Sequence, residues 1–176
     1  MNAVLAYVHD SDLRLSGRLR GWRPPRWFRV CMVCATRLGD GWLWIAVAAA
    51  LAAGGGPHTR ALAAGALAAG VASTLLVVLK RRFRRQRPCE LAAHPLFGHV
   101  RPPDRYSFPS GHTMNAFAIA TVLGLQYPPL SPALGLLAAA IAASRIVMGL
   151  HFASDVLAGA VLGSAIGLAC FVALLG

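Results

Sequence analysis

The sequence predicts an all-α, polytopic membrane helical bundle, with about five transmembrane helices and an amphipathic interfacial region at the N-terminus. Three observations support this fold class. Hydrophobic residues make up 57% of the 176-residue chain, more than the share in soluble domains. Charged residues make up only 13%. Five apolar stretches are separated by segments rich in Pro, Gly or polar residues, and in lipid such stretches must be helical to pair their backbone groups.

The N-terminal region, residues 1–38, is predicted to lie on the membrane surface. It carries charges throughout and has no apolar run at its start, so we expect no secretory signal. Trp22 and Trp27 lie among arginines, an arrangement typical of a helix in the headgroup layer. Pro24-Pro25 is expected to break this region, and residues 27–38 could form an additional short re-entrant segment.

Five hydrophobic segments are predicted to cross the membrane. Their ranges are 41–56, 61–79, 111–127, 133–149 and 154–175. The second and fifth reach the roughly 20 residues that cross the hydrocarbon, whereas the other three are shorter and need flanking aromatic residues or buried ends.

Small residues in two of these segments predict close helix packing. The fifth segment contains Gly159, Gly163 and Gly167, whose spacing allows another helix to approach. We expect Gly65 and Gly70 to serve the second segment in the same way.

Basic residues form two blocks that alternating spans place on one side of the membrane. The formal net charge is +11. Seven arginines lie between Arg14 and Arg37, eight further basic residues lie between Lys80 and Arg105, and Arg60 alone lies on the other side. Because Lys and Arg near spans favour the cytoplasm, this side is predicted to face inward. Nucleic-acid binding is the other meaning of a basic block, but in so apolar a chain the charge indicates orientation or an anionic substrate.

Three polar motifs lie on the same predicted side. K-x6-R-P runs from Lys80 to Arg87-Pro88, P-S-G-H occupies 109–112, and S-R-x5-H-x3-D occupies 144–155. Since hydrocarbon tolerates charge badly, ionisable residues beside spans indicate a functional site.

The residue types in these motifs suit phosphoryl chemistry. Lys80, Arg87 and Arg145 are candidates to bind one anion, because guanidinium groups offer paired donors to phosphate oxygens. Ser110 is a good N-cap, and Gly111 lets the helix N-terminus approach a phosphate.

The two histidines of the motifs suit a covalent mechanism. His151 and Asp155 are four residues apart, so on a helix they would share a face. A carboxylate that accepts from one ring nitrogen would leave the other as a nucleophile. With His112 in the first turn of its helix, these residues indicate phosphoryl transfer to histidine and then to water.

Taken together, the motifs resemble the signature of the type 2 phosphatidic acid phosphatase superfamily, complete, in order and with its spacing. The resemblance implies His151 as the nucleophile, His112 as the general acid and Asp155 as the orienting carboxylate. It implies a phosphate-binding set of Lys80, Arg87, Ser110, Gly111 and Arg145. It also implies no metal and no other cofactor.

The resemblance predicts a lipid phosphate phosphatase of one domain, with residues 39–176 as its helical catalytic core. Its substrate would carry a phosphomonoester or pyrophosphate headgroup, of the phosphatidylglycerophosphate, phosphatidate or polyprenyl phosphate type. We expect a bacterial inner-membrane protein whose partners are its lipid substrate and membrane lipids, and not nucleic acid. A lipid phosphotransferase and a non-enzymatic binder of anionic lipids remain alternatives.

One departure concerns sidedness. Many membrane members of the family have six spans and a periplasmic site, whereas this chain has five predicted spans. Losing one span inverts the site, which agrees with the charge bias; a periplasmic site is the alternative.

Residues outside the motifs have plainer interpretations. We expect Arg81, Arg82, Arg84 and Arg85 to be a solvated, orienting flank. Cys31 and Cys34 form a single C-x-x-C, which is weak evidence for zinc. The remaining histidines are interpreted as surface or loop residues: His9, His58, His94 and His99.

Overall fold

A computed structural model describes residues 3–54, 58–91 and 104–176 of the chain. Within these ranges the regular structure is entirely helical, so the predicted fold class is confirmed. The helices are α1 (Ala3–Gly21), α2 (Arg26–Leu38), α3 (Trp42–Ala53), α4 (Thr59–Phe83), α5 (Pro88–Leu91), α6 (Gly111–Gln126), α7 (Ser131–Val147) and α8 (Ala153–Leu175). A 3-10 turn, Pro128–Leu130, joins α6 to α7. The segment holding His94 and His99 lies outside the described residues.

Each of the five predicted hydrophobic segments contains a helix, and these helices differ in length. Three stretches in the described ranges are long and apolar enough to cross a membrane: Thr59–Leu91, Pro128–Val147 and Ala153–Leu175. Helices α2 and α3 meet at a bend of 62° and together form a broken span or a re-entrant loop. At 16 residues, α6 is shorter than a full span. The chain is therefore an integral membrane protein, and its described residues hold three or four candidate spans.

Helix α6 is the centre of the bundle and packs against α4, α7 and α8. Glycines of α8 face it: a Cβ at Gly159 would lie 2.7 Å from the Ser110 carbonyl oxygen. Cβ atoms at Gly163 and Gly167 would collide with the carbonyl oxygens of Met114 and Ala118. The predicted close approach of the fifth segment is therefore present, and it depends on glycine.

The small residues of α4 pack differently from the prediction. Ala64, Ala68 and Ala72 are fully buried, and they form one cluster with side chains of α6. A Cβ at Gly65 or Gly70 would meet nothing within 4 Å. The expectation that these two glycines mediate close packing is wrong, because the alanines occupy the face that touches α6.

The N-terminal region consists of two helices that separate at the predicted proline break. Helix α2 packs on α7. A tight turn follows α2, and Gly41 within it has φ of +100°, a conformation that favours glycine. This turn brings residues 39–41 to the end of the bundle where α4 and α7 end and α6 and α8 begin.

Candidate active site

The three motifs converge on one cavity of about 640 Å³ at this end of the bundle. It is lined by six of the eight predicted site residues: Lys80, Arg87, Gly111, His112, Arg145 and His151. The remaining two, Ser110 and Asp155, are buried behind it. The helices pack side by side, and each motif lies where a helix begins or ends at this end of the bundle, which explains the convergence.

His151 lies in the loop between α7 and α8 and is 2% exposed. Its Nδ1 lies 2.7 Å from the carbonyl oxygen of Ser107. A carbonyl can only accept, so Nδ1 carries the proton and Nε2 has the lone pair. Nε2 lies 3.1 Å from Arg87 Nη1. Burial, together with the charges of Arg87, Arg145 and Lys80, lowers the pKa of His151 well below its ordinary value. The ring is therefore neutral, and its unprotonated Nε2, which accepts from Arg87 Nη1, is the candidate nucleophile.

Asp155 does not make the expected direct bond to His151. The distance from His151 Nδ1 to Asp155 Oδ2 is 3.8 Å. Instead, Oδ2 accepts the backbone N–H of Phe152 at 2.8 Å, and Oδ1 accepts from Arg85 Nη1 at 2.6 Å. The carboxylate thus holds the N-terminus of α8 and orients the histidine loop through the backbone.

Arg87 is 1% exposed, and each of its N–H groups faces an acceptor. Nη1 donates to the carbonyl oxygen of Leu150 at 2.7 Å as well as facing His151. Nη2 donates to the carbonyl oxygen of Tyr106 at 3.0 Å and to Asp104 Oδ1 at 3.1 Å. These contacts fix the guanidinium beside the nucleophile.

Asp104 joins two of the predicted phosphate-binding cations. Its Oδ2 accepts from Lys80 Nζ at 2.5 Å, while its Oδ1 accepts from Arg87. Burial opposes ionisation, but the hydrogen bond and charge of Lys80, with those of Arg87, outweigh it and lower the pKa of Asp104. An ionised carboxylate therefore lies on the two cations where an anionic substrate would bind.

Arg145 is buried at 1% exposure and lines the cavity. Its Nη1 donates to Thr36 Oγ1 at 2.5 Å. Its Nε has no hydrogen-bond partner among the residues that the structure describes. A buried guanidinium N–H without an acceptor is costly, which makes this group well suited to bind an anion.

The N-terminus of α6 carries Ser110, Gly111 and His112. The expected side-chain cap is absent, because Ser110 Oγ lies 2.9 Å from Thr113 Oγ1 and bonds no backbone N–H. The Ser110 backbone N–H donates to the carbonyl oxygen of Asp155 at 3.0 Å, which ties α6 to α8. His112 Nε2 lies 2.7 Å from Asp40 Oδ1.

Sequence reasoning missed several of these partners. The chain has only six acidic residues. Besides the predicted Asp155, three of them bond basic or histidine side chains at this end of the bundle: Asp12, Asp40 and Asp104. Their scarcity in so basic a chain was the available signal.

Two predictions about residues outside the motifs are corrected. Arg85 is not a solvated flank, because its side chain is 22% exposed and pairs with two buried carboxylates. His58 is half-buried at the opposite end of the bundle, with Nδ1 2.7 Å from the Tyr127 hydroxyl. His9, Arg81, Arg82 and Arg84 are exposed as expected.

Two kinds of sequence comparison match known phosphatases. The sequence model of the PAP2 superfamily matches residues 61–175. The decaprenylphosphoryl-5-phosphoribose phosphatase of Mycobacterium tuberculosis is 38% identical over 130 residues, which is 72% of this chain and 68% of that protein. The lipid A 1-phosphatase of Porphyromonas gingivalis is 44% identical over 77 residues, which is 40% of this chain and 17% of that protein.

Solved structures resemble the whole fold. The crystal structure of Aquifex aeolicus LpxE superposes with a TM-score of 0.77 and 29% identity, covering 90% of this chain and 93% of that one. The PAP2-type phosphatidylglycerolphosphate phosphatase of Bacillus subtilis gives a TM-score of 0.74 and 28% identity, covering 97% and 85%. With its motifs gathered in one cavity and its sequence matched over most of its length, the chain belongs to the PAP2 superfamily.

Proposed function

We propose that this protein is a membrane-bound lipid phosphate phosphatase that works through a phosphohistidine on His151, without a metal. One observation carries the proposal: a neutral, buried imidazole presents its unprotonated Nε2 to a cavity that three cationic side chains line. Nucleophile and anion-binding groups are therefore already in place for an attack on phosphorus.

In the first step, His151 Nε2 attacks phosphorus and forms the N–P bond while the bond to the lipid oxygen breaks. Lys80, Arg87 and Arg145 stabilise the charge on the phosphoryl oxygens. The imidazole becomes cationic, and the Ser107 carbonyl stabilises this charge because it already accepts from Nδ1. His112 gives a proton to the departing oxygen.

In the second step, water attacks the phosphohistidine. His112 takes a proton from the water, the N–P bond breaks, and inorganic phosphate leaves. Both histidines return to their starting states, so the cycle balances without another reactant.

An apolar groove beside the cavity supports a lipid substrate. The groove has a volume of about 220 Å³ and lies between α3 and α4. Trp44, Ile45, Ala69 and Ile119 line both the groove and the polar cavity, so the two are adjacent. A phosphate in the cavity would place its apolar chain in the groove.

The name of the mycobacterial relative supports a phosphate monoester carried by a polyprenyl-linked sugar as the first substrate to test. Phosphatidylglycerophosphate and phosphatidate belong in the same panel, because the Bacillus subtilis neighbour acts on a phospholipid. We also propose that the protein is a single-domain inner-membrane enzyme whose cavity faces the cytoplasm.

Phosphate release by the purified protein in detergent tests the proposal. We expect His151→Gln to abolish release from the preferred lipid, whereas His9→Gln, a change at an exposed histidine, keeps it. Brief exposure to labelled substrate should leave an acid-labile label on the wild type and on His9→Gln, but not on His151→Gln. Full activity in His151→Gln, or a label that resists acid, would contradict the phosphohistidine.

A further inference from the structure

The turn between α2 and α3 forms one wall of the cavity. Gly39 packs directly against the site: a Cβ there would lie 2.9 Å from His112 Cδ2 and 2.9 Å from Ile141 Cγ2. Thr36, one turn earlier, accepts from Arg145. The backbone of this turn is therefore held close to two residues of the proposed mechanism.

Asp40 projects from this turn onto His112. Its Oδ1 lies 2.7 Å from His112 Nε2, and both side chains line the cavity. A carboxylate can only accept when ionised, so Nε2 carries a proton and Nδ1 remains for the substrate. The second oxygen of Asp40 faces Arg37 at a longer distance, 3.4 Å. Arg37 is 62% exposed, and exposed pairs of this kind contribute little.

We propose that Asp40 is the positioning residue for His112 in the acid and base steps. This inference rests on the proposed function. A carboxylate bonded to one ring nitrogen fixes the orientation of an imidazole and stabilises its protonated form. Asp40 thus holds Nε2–H throughout, while Nδ1 gives a proton to the lipid oxygen in the first step and takes one from water in the second.

Asp40 precedes residues 61–175, the range that the superfamily model matches. The carboxylate is therefore supplied by the N-terminal part of this chain, through a turn that needs Gly39 and Gly41. The same part supplies Thr36 to Arg145, so the turn organises a proton-transfer group and an anion-binding group together.

Leaving groups that differ in their need for a proton test this role. An alkyl phosphate must have its oxygen protonated as it leaves, whereas a nitrophenolate leaves without help. We expect Asp40→Asn to lower kcat/KM for the alkyl ester by roughly 10²-fold, the range of general acid catalysis. The value of kcat/KM for the nitrophenyl ester should change little. Because kcat/KM covers only the steps up to the phosphohistidine, slow hydrolysis of that intermediate does not mask the effect.

Two further variants make the outcome decisive. Asp40→Glu should recover part of the alkyl-ester activity, and Asp10→Asn, a change at an exposed acid of α1, should leave both substrates unaffected. Retained nitrophenyl activity shows that each variant is folded. Equal losses on both substrates in Asp40→Asn, or no loss on either, would overturn the role of Asp40.

His112→Gln separates this inference from the proposed function. If His112→Gln selectively loses kcat/KM for the alkyl ester and Asp40→Asn does not, the acid role of His112 stands and the positioning role of Asp40 fails. If His112→Gln lowers kcat/KM equally for both esters, the acid role of His112 fails and the inference falls with it.

Discussion

Arg85 Nη1 lies 2.6 Å from Asp155 Oδ1, although the two residues are 70 positions apart. Nη2 of the same guanidinium lies 2.8 Å from Asp12 Oδ2. Asp12 belongs to α1, is 4% exposed, and accepts the backbone N–H of Ser154 at 3.1 Å. One arginine therefore connects the N-terminal helix to the start of α8, directly after the loop that carries His151.

Replacing Arg85 should cost both stability and turnover. Arg85→Gln leaves the buried carboxylate of Asp155 without its cation. Loss of one partner of a buried pair is strongly destabilising, and the partial exposure of Arg85 places the expected loss at about 1–3 kcal/mol. Because Arg85 does not line the cavity, we expect kcat to fall and KM to stay nearly constant. Thermal unfolding in micelles and steady-state kinetics measure both. Arg82→Gln, at an exposed position of the same block, is the control; equal effects of the two changes would show that Arg85 has no special role.

Removing the Asp104 carboxylate should tighten anion binding. Asp104 forms ion pairs with Lys80 and Arg87, so a bound phosphate must compete with its carboxylate for these two cations. Its pKa is lowered, so the carboxylate is charged throughout the usual assay range. We expect Asp104→Asn to lower the inhibition constant of inorganic phosphate several-fold at fixed ionic strength. Glu90→Gln removes a nearby exposed acid and should not. Weaker phosphate inhibition in Asp104→Asn would mean that the carboxylate holds the cations in place for the substrate.

The sequence predicted the helices and the convergence of the motifs well. The predicted segments 133–149 and 154–175 differ from α7 and α8 by at most two residues at each end. Long apolar runs must be helical in lipid, and few charges occur among them, so each charged motif is informative.

Contacts distant in sequence were not predictable in this way. Asp40 and His112 are 72 positions apart, and no local period encodes which donor a carboxylate will meet. The spacing of His151 and Asp155 misled for another reason. The prediction of a shared face assumed that both residues lie on one helix, but α8 begins at Ala153. His151 therefore lies in the loop before it, where helical spacing does not apply.

His151 should remain neutral in a pH range where an ordinary histidine titrates. An exposed imidazole changes charge near pH of about 6.5, and burial beside Arg87, Arg145 and Lys80 lowers the pKa of His151. The folded protein therefore binds fewer protons at this residue than the unfolded chain does below about pH 6.5, so this residue's contribution to stability falls as the pH falls. The imidazole NMR signal of His151 is the one that is missing from the spectrum of His151→Gln. We expect the chemical shift of this signal to stay constant between about pH 6 and 8. A midpoint for His151 at or above about pH 6.5, where an ordinary imidazole titrates, would contradict the neutral nucleophile.

The cavity side of the bundle should face the cytoplasm. Arg82 is exposed at the end of α4 on that side, and Leu130 is 49% exposed in the turn at the other end. In a background where the four native cysteines are replaced, Leu130→Cys should react with an impermeant thiol reagent in cells whose outer membrane is permeabilised. Arg82→Cys should react only after the inner membrane is broken. The reverse pattern would place the cavity in the periplasm, against the charge bias.

The close approach of α8 to α6 should make Gly163 intolerant of any side chain. A Cβ there collides with the Met114 carbonyl oxygen, which belongs to a helix and cannot rotate away. We expect Gly163→Ala to destabilise the protein by about 1–3 kcal/mol, the usual cost of overpacking. Gly135→Ala adds the same methyl group to α7, where nothing lies within 4 Å, and should stabilise it by about 0.5–1 kcal/mol through helix propensity.

The two alanine variants can be compared by thermal unfolding in the same micelles. The separation of α6 and α8 also sets the bond between the Ser110 N–H and the Asp155 carbonyl oxygen, next to the catalytic loop. Gly163→Ala should therefore lose activity at temperatures where it is still folded, whereas Gly135→Ala keeps it. Equal stability and activity in the two variants would mean that α8 can move away from α6 without disturbing the site.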